Sequence, residues 1–173
     1  RSSDLSSGQP GIDENALRLA QASGLQTGGT CAAHNEIPSD LGISYDIFPT
    51  NLLDAYAAQS KANVDNADGT LAIWLNNNVG VKRVIAYARS RQWPFPNMIP
   101  KVEKKNQELP SLYKPIFVLC FNTHSAAEEI IAFLQKHDIK TLNVCGVHGL
   151  RATNEYMNTV LSSVFEHCAK TKK

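Results

Sequence analysis

Two glycines near the start of the chain bracket a turn that leads directly into a helical pattern. Gly8 and Gly11 flank this turn, and the residues after it repeat apolar side chains at three-residue spacing, which predicts an amphipathic helix. Glycine lets a backbone approach a ligand closely. The first amides of a helix lack internal acceptors and lie at the positive end of its dipole. The chemistry expected of Gly8, Gln9 and Gly11 is therefore the binding of an anion through main-chain N–H groups. The alternative is that both glycines only shape a strand-to-helix turn, with Pro10 favouring the first helical turn.

Glycine and neutral hydrogen-bonding side chains recur where the other predicted strands end. These strand ends are Gly28 to Thr30, Asn76 to Gly80, Asn122 to His124 and Asn143 to Gly146. Ligands of open parallel sheets bind beyond the carboxyl ends of the strands. The rim defined by these ends is poor in carboxylates and has no cluster of metal-ligand types. It therefore suits an anion held by amides and side-chain donors better than acid–base catalysis.

The sequence lacks the common catalytic signatures. No Ser-His-Asp order, H-E-x-x-H or G-x-x-x-x-G-K-[ST] run occurs. Asp13, Asp68 and His124 are the nearby side chains that a hydrolase could use, and no acid–base pair is evident among them. Each also has a structural interpretation: a first-turn carboxylate, a loop cap and a surface turn residue, respectively.

Alternating strand-like and helical patterns must position these residues. Two predicted strands end near Ser7 and Gly28, and three more cover 69–75, 116–121 and 141–144. The predicted helices cover 11–24, 51–67 and 80–92, and one more follows Ser125 and another forms the final segment. This alternation predicts an α/β fold: a single three-layer Rossmann-like domain over 1–173, with a mostly parallel sheet of five to six strands and helices on both faces. An irregular segment is expected through Pro49, and a long irregular insertion with five prolines at about 94–115. Ser125 and Glu128 predict a capping box.

Composition limits the classes of partner. The net charge of +1 lacks the basic footprint of a nucleic-acid binder. The longest apolar run, Ile116 to Phe121, is too short to span a bilayer, and no secretory leader is expected. The four cysteines form no C-x-x-C pair and are expected to be reduced thiols. A cytoplasmic protein without nucleic-acid or membrane partners is expected.

Four segments, in order and over nearly the whole chain, resemble the molybdenum carrier family, which is part of the SLOG group of Rossmann-like proteins. They are Ser7–Asp13 (family S-G-G-Q-T-G-x-D), Gly28–Cys31 (G-G-W-C), Asn63–Leu71 (N-V-x-x-S-D-G-T-L), and Leu142–Gly146 with Tyr156 (L-N-V-A-G-P-R-E-S…Y). The group also contains lysine-decarboxylase-like phosphoribohydrolases. The resemblance implies a ligand such as the molybdenum cofactor or a nucleotide derivative, no structural metal, and a homo-oligomer.

The chain departs from the family pattern at three places. Pro10 replaces a threonine, which removes an amide and a hydroxyl from the first turn. Val79-Gly80-Val81 stands where the family has G-G-T, and Val147 to Leu150 replaces P-R-E-S with its arginine. Arg151 or Lys82 are the candidates to replace that arginine. The phosphoribohydrolase signature P-G-G-x-G-T-x-x-E is missing.

Strand ends and resemblance together give the candidate ligand-binding residues: Gly8, Gln9, Gly11, Asp13, Gly29, Thr30, Asp68, Asn78, Gly80, Lys82, Asn143, Gly146 and His148. No catalytic residue and no metal ligand is assigned. The first hypothesis is a non-catalytic carrier of an anionic, nucleotide-like or pterin-type ligand. The alternatives are a nucleotide-processing hydrolase of the N-glycoside type and a diverged module that kept the fold and lost the site.

Overall fold

The computed structural model describes eight stretches of the chain: 3–5, 11–32, 39–41, 44–46, 52–74, 78–92, 114–147 and 155–171. Within them lie, in order, β1 (Ser3–Leu5), α1 (Ile12–Ala22), β2 (Gln26–Gly28), β3 (Thr30–Ala32), a 3-10 turn (Ser39–Leu41), β4 (Ser44–Asp46), α2 (Leu52–Asn66), β5 (Gly69–Trp74), α3 (Val79–Gln92), β6 (Ile116–Cys120), α4 (Ala126–Lys136), β7 (Thr141–Cys145) and α5 (Glu155–Lys170).

Five of these strands form one parallel sheet in the order β2-β1-β7-β5-β6. The last strand in the sequence, β7, lies at its centre between β1 and β5. Leu71 pairs with Val144 and Ala72 with Cys145 along the β5–β7 ladder. Both central strands are almost completely buried, as expected of a sheet covered on both faces.

Helices cover both faces of the sheet, as predicted. Leu71 of β5 and Val144 of β7 belong to a core cluster with apolar residues of α1, α4 and α5. Ala72 and Cys145, one residue further along each strand, belong to a second cluster with residues of α2 and α3. Because side chains alternate across a strand, the two clusters lie on opposite faces. The predicted Rossmann-like α/β architecture is therefore confirmed.

The connections between strands reverse direction at the centre of the sheet. From β1 the chain moves through α1 to β2 at one edge, whereas from β5 it moves through α3 to β6 at the other edge. The neighbouring strands β7 and β5 are followed by α5 and α3, which pack on opposite faces. In doubly wound sheets, ligands bind in a crevice at the carboxyl ends of two strands whose helices diverge in this way. We use the term crevice for this position, at the carboxyl ends of β7 and β5.

Three details differ from the sequence prediction or extend it. The stretch expected to be irregular contains β3 and β4, which form a separate parallel pair. Ser125 adopts a left-handed conformation (φ 59°) and makes no side-chain cap bond, so the predicted capping box is wrong. Most of the proline-rich insertion lies outside the described residues. At its end, Lys114 Nζ donates to the Ala67 carbonyl at 2.6 Å.

Candidate ligand-binding site

The start of α1 is engaged with the end of β7. Gly11 has φ 122° and ψ −138°, a conformation that suits glycine and strains other residues. The first helical amide, Ile12 N–H, donates to the Val147 carbonyl at 3.2 Å. Of the anion-binding turn predicted here, Gly8, Gln9 and Pro10 lie outside the described residues. In the described part, the amide of Ile12 is committed within the protein.

Asp13 completes this contact. Its side chain is 7% exposed, and Oδ1 accepts the Gly146 N–H at 3.0 Å. Gly146 must lack a side chain, because a Cβ there would lie 2.6 Å from the Cβ of Ile12. We call this arrangement of Ile12, Asp13, Gly146 and Val147 the β7 clamp. It uses the Gly146 amide, and it places a carboxylate at the positive end of α1, where an anionic ligand would otherwise bind.

The thiol of Cys145 lies beside the clamp at the end of β7. Burial raises the pKa of this thiol well above its usual value, and the charge of the nearby Asp13 raises it further. The thiol is therefore held neutral. This is the environment of a packed, unreactive cysteine.

The turn between β2 and β3 is fixed by a residue that the sequence analysis did not select. Gly29 has φ 140°, and the next residue, Thr30, is buried. Asn63 of α2 accepts the Thr30 N–H at 2.8 Å and donates to the Thr30 carbonyl at 3.0 Å. Both main-chain groups of Thr30 thus face Asn63. The only signal for Asn63 in the sequence was its place in the family-like N-V segment.

Two other candidates lie away from the carboxyl edge. Asp68 precedes β5, and its Oδ2 accepts the amides of Lys140 and Thr141 at 3.0 and 2.7 Å. It is therefore at the amino edge, roughly 20 Å from the crevice for a strand of this length at about 3.3 Å per residue. Asn143 lies in the middle of β7, where it is buried and donates to the Thr70 hydroxyl at 3.3 Å.

The start of α3, at the carboxyl end of β5, presents a different electrostatic environment. Asn78 caps the helix through Oδ1, which accepts the Val81 N–H at 3.0 Å. The amides of Val79 and Gly80 donate to no described residue. Four described helices follow a strand of the main sheet, and α3 alone among them has no acidic residue in its first turn. Lys82 is exposed and places its ammonium 5.8 Å from the centre of the Trp74 ring.

The turn after β6 holds two strained residues. Asn122 and Ser125 both have positive φ, and the exposed His124 lies between them. Tyr156 of α5 donates its hydroxyl to the Thr123 carbonyl at 2.8 Å and packs its ring against Phe121. Burial raises the pKa of the Tyr156 phenol. This turn is thereby fastened to the face of the sheet that carries α5.

Among the candidates, the structure places Asn78, Gly80 and Lys82 at the start of α3, after the carboxyl end of β5, and Asp13 and Gly146 in the β7 clamp. His148 lies outside the described residues. In the part of the chain that is described, no group of three or more His, Cys, Asp or Glu side chains is placed to hold a metal ion. Nor does any helix there have the length and apolarity needed to cross a membrane.

A doubly wound parallel sheet with its crevice between two divergent helices defines a Rossmann-like protein. Residues 5–164 match the model of the circularly permutated YpsA SLOG family, and the chain belongs to that family. The predicted SLOG assignment is thus confirmed.

The fold is also similar to that of a crystallised protein from Syntrophus aciditrophicus SB, named "Putative molybdenum carrier protein". The two structures superimpose with a TM-score of 0.68 at 20% sequence identity, over 95% of this chain and 92% of that one. No curated protein matches the sequence.

Proposed function

We propose that the chain is a non-catalytic binding or carrier protein for a small anionic ligand of nucleotide-like or pterin type. The ligand binds in the crevice between the carboxyl ends of β7 and β5. Its anionic group lies at the start of α3, against the amides of Val79 and Gly80 and the ammonium of Lys82.

The contrast between α1 and α3 carries this proposal. Both helices begin at the carboxyl edge, but α1 has Asp13 and Glu14 in its first turn and α3 has no acid there. An anion is favoured where the first amides of a helix and a cation coincide, and disfavoured beside a carboxylate. Arg83, also exposed, adds a second positive charge near the start of α3.

The molybdenum cofactor is one ligand with suitable chemistry, because it combines a pterin with a phosphate ester. The name of the crystallised neighbour supports this choice. The described residues suit an organic anion of this kind through Lys82 and the α3 amides. In this proposal the cofactor is cargo, and any metal in it is held by the cargo itself.

The hydrolase alternative draws no support from the site. Asp13 and Asp68 lie at opposite edges of the sheet, and the carboxylate of each accepts at least one main-chain amide. A general acid and base must both reach the same substrate. The remaining alternative, a module with a decayed site, predicts no ligand binding and is separated by the experiment that follows.

The proposal is tested by thermal denaturation with graded concentrations of inorganic phosphate, ribose 5-phosphate, guanosine 5′-monophosphate and molybdate. A ligand that binds only the folded state raises Tm with its concentration. We expect a rise with at least the two phosphate esters. A Tm that stays constant with all four probes would contradict the proposal and favour the decayed module.

Lys61 provides a matched control for Lys82. Each lysine is exposed and lies over an aromatic ring, with Lys61 Nζ 5.7 Å from the Tyr87 ring centre. Lys61 belongs to α2, away from the start of α3. We expect Lys82→Met to reduce the ligand-dependent rise in Tm and Lys61→Met to preserve it.

The expected homo-oligomer and the expected cytoplasmic location belong to the same proposal. Light scattering of the purified chain measures the first, and fractionation of the source cells measures the second. A monomer at all concentrations would remove the oligomer from the proposal and leave the ligand site unchanged.

A further inference from the structure

The end of β5 and the start of α3 carry apolar surface near the Lys82 ammonium. Trp74 is the last residue of β5 and is only partly buried, at the margin of the core cluster beneath α3. Val79 opens α3 with 60% of its surface exposed, and within the described residues it is the one large hydrophobic residue that is so exposed. A site that binds only an anion needs neither the Trp74 ring nor the Val79 side chain.

The geometry points to Trp74 as the platform for a flat ring system of the ligand, with Lys82 above it and the exposed Val79 at the start of the helix that carries Lys82. This inference rests on the proposed function and assigns to the same crevice a residue that contacts the ring. The ligand class is then a purine- or pterin-like ring joined to a phosphate ester. Inorganic or sugar phosphates alone would fill only part of the site.

Lys82 lies where the ring and the phosphate of such a ligand would meet. Its ammonium lies 5.8 Å from the Trp74 ring centre, near the outer limit of a cation–π contact. The contact is exposed, and the long lysine stem lets the ammonium swing away from the ring. A stacked base on an aromatic side chain is the stronger interaction of the two. The ligand ring therefore takes the place of the ammonium, and the displaced ammonium pairs with the phosphate.

The chain offers a direct optical test, since it contains two tryptophans, Trp74 and Trp93. Trp93→Phe leaves Trp74 as the single reporter. The variant is titrated with guanosine 5′-monophosphate and with ribose 5-phosphate, two probes that differ by the base alone. We expect the nucleotide to quench the emission of Trp74 and to raise Tm, whereas the sugar phosphate raises Tm without quenching.

Affinities provide the second readout. The nucleotide is expected to bind about tenfold more tightly than ribose 5-phosphate, the ratio that one stacked base supplies. Trp74→Leu should remove this preference and leave the affinity for ribose 5-phosphate unchanged. If Trp74→Leu does not fold, the titration of Trp93→Phe still tests whether Trp74 contacts the ligand ring, because this variant keeps the Trp74 side chain.

The outcomes separate the two proposals. If both probes raise Tm equally and the emission of Trp74 does not change, the ring platform is wrong and the anion site stands. If neither probe raises Tm, the proposed function itself fails. Quenching by the nucleotide that persists in Lys82→Met, with a weaker affinity, would support the platform and assign the phosphate to Lys82.

Discussion

Asp13, which the sequence predicts as a ligand-binding residue, has a structural role in the β7 clamp. It follows a glycine-flanked turn and begins a helix, which are the features of an anion site. The structure places its carboxylate on the Gly146 amide, where it fastens the start of α1 to the end of β7. The residue type and position were evident in the sequence. Its partner, 133 positions away, was not.

Replacing Asp13 tests the β7 clamp. Asp13→Ala leaves the buried Gly146 N–H without an acceptor, which is expected to lower the free energy of unfolding by about 1–3 kcal/mol. Asp13→Asn retains an acceptor and should cost roughly half as much, because charge-assisted bonds are about twice as strong as neutral ones. Urea denaturation measures both changes.

Glu14→Ala is the control for Asp13, since Glu14 lies in the same turn and pairs with Arg18 at 3.0 Å. This partly exposed pair is expected to contribute less than about 1 kcal/mol. A loss for Asp13→Ala that is no larger than the loss for Glu14→Ala would contradict the expected contribution of the bond to Gly146.

Cys145 predicts how stability depends on pH. The folded protein holds the thiol neutral, since burial raises its pKa, whereas the unfolded chain loses the proton near the ordinary value of about 8.5. Above that pH the unfolded state binds fewer protons than the folded state, so stability is present below it and falls as pH rises. The slope approaches about 1.4 kcal/mol per pH unit for one group.

This slope is measured by urea denaturation between mildly and strongly alkaline pH, under reducing conditions. Cys145→Ala should flatten the curve. The control variant is Cys120→Ala, which removes an exposed thiol. If Cys145→Ala retains the full slope, another group is responsible.

At the scale of single elements, the sequence predicted the strands and helices whose apolar residues follow a clear local pattern. The apolar run of β6 and the buried stripe of α4 both appear where expected. The short strands β3 and β4 were missed, because three residues are too few for an alternation to be read. Ser125 was misassigned as a cap, because its left-handed conformation depends on how the turn after β6 packs and not on its own residue type.

Asn63 connects two such elements, α2 and β3, and its replacement tests that connection. Asn63→Ala leaves both the N–H and the carbonyl of the buried Thr30 without partners. The expected loss is about 2–4 kcal/mol, more than one unsatisfied group costs. Asn66→Ala, at an exposed position at the end of the same helix, should remain within about 0.5 kcal/mol of the native chain. A similar small effect at Asn63 would show that Thr30 finds other partners, for instance water.

At the scale of the whole molecule, the sequence predicted the layers but not the position of each strand. Alternating strands and helices indicate a parallel sheet with two covered faces, whatever the order. That β7 lies between β1 and β5 depends on contacts between distant segments, which no local pattern contains. The crevice could therefore be placed at the carboxyl edge in general, but not between two named strands. The proposal that the ligand binds at the start of α3 and not of α1 depends on the partners of Ile12 and Asp13, which the sequence does not reveal.

The strand order predicts that the chain can be rearranged. If the strands of the main sheet are numbered 1 to 5 in the order β7, β1, β2, β5 and β6, their order across the sheet is 3-2-1-4-5. This is a common doubly wound arrangement. α5 ends at the amino edge, where β1 begins, and the exposed turn at His137 and Asp138 separates α4 from β7. A chain that starts at Asp138, ends at His137 and joins the original ends by a flexible linker should fold.

Circular dichroism and thiol labelling check this rearranged chain. We expect the native spectrum, with Cys31 and Cys145 protected and Cys120 labelled, as their burial in the native chain requires. Rapid labelling of Cys145 in the rearranged chain would show that β7 does not take its central place.

The central place of the last strand has a consequence for biosynthesis. A ribosome that has translated the chain through α4 has produced β1 with its neighbour β2, and β5 with its neighbour β6, but nothing that joins the two pairs. Until β7 is synthesised, the edges of β1 and β5 that it pairs with in the folded protein are exposed. Exposed strand edges of this kind favour association between nascent chains. The carboxyl edge between β7 and β5, where the proposed ligand site lies, is therefore formed only when β7 is inserted.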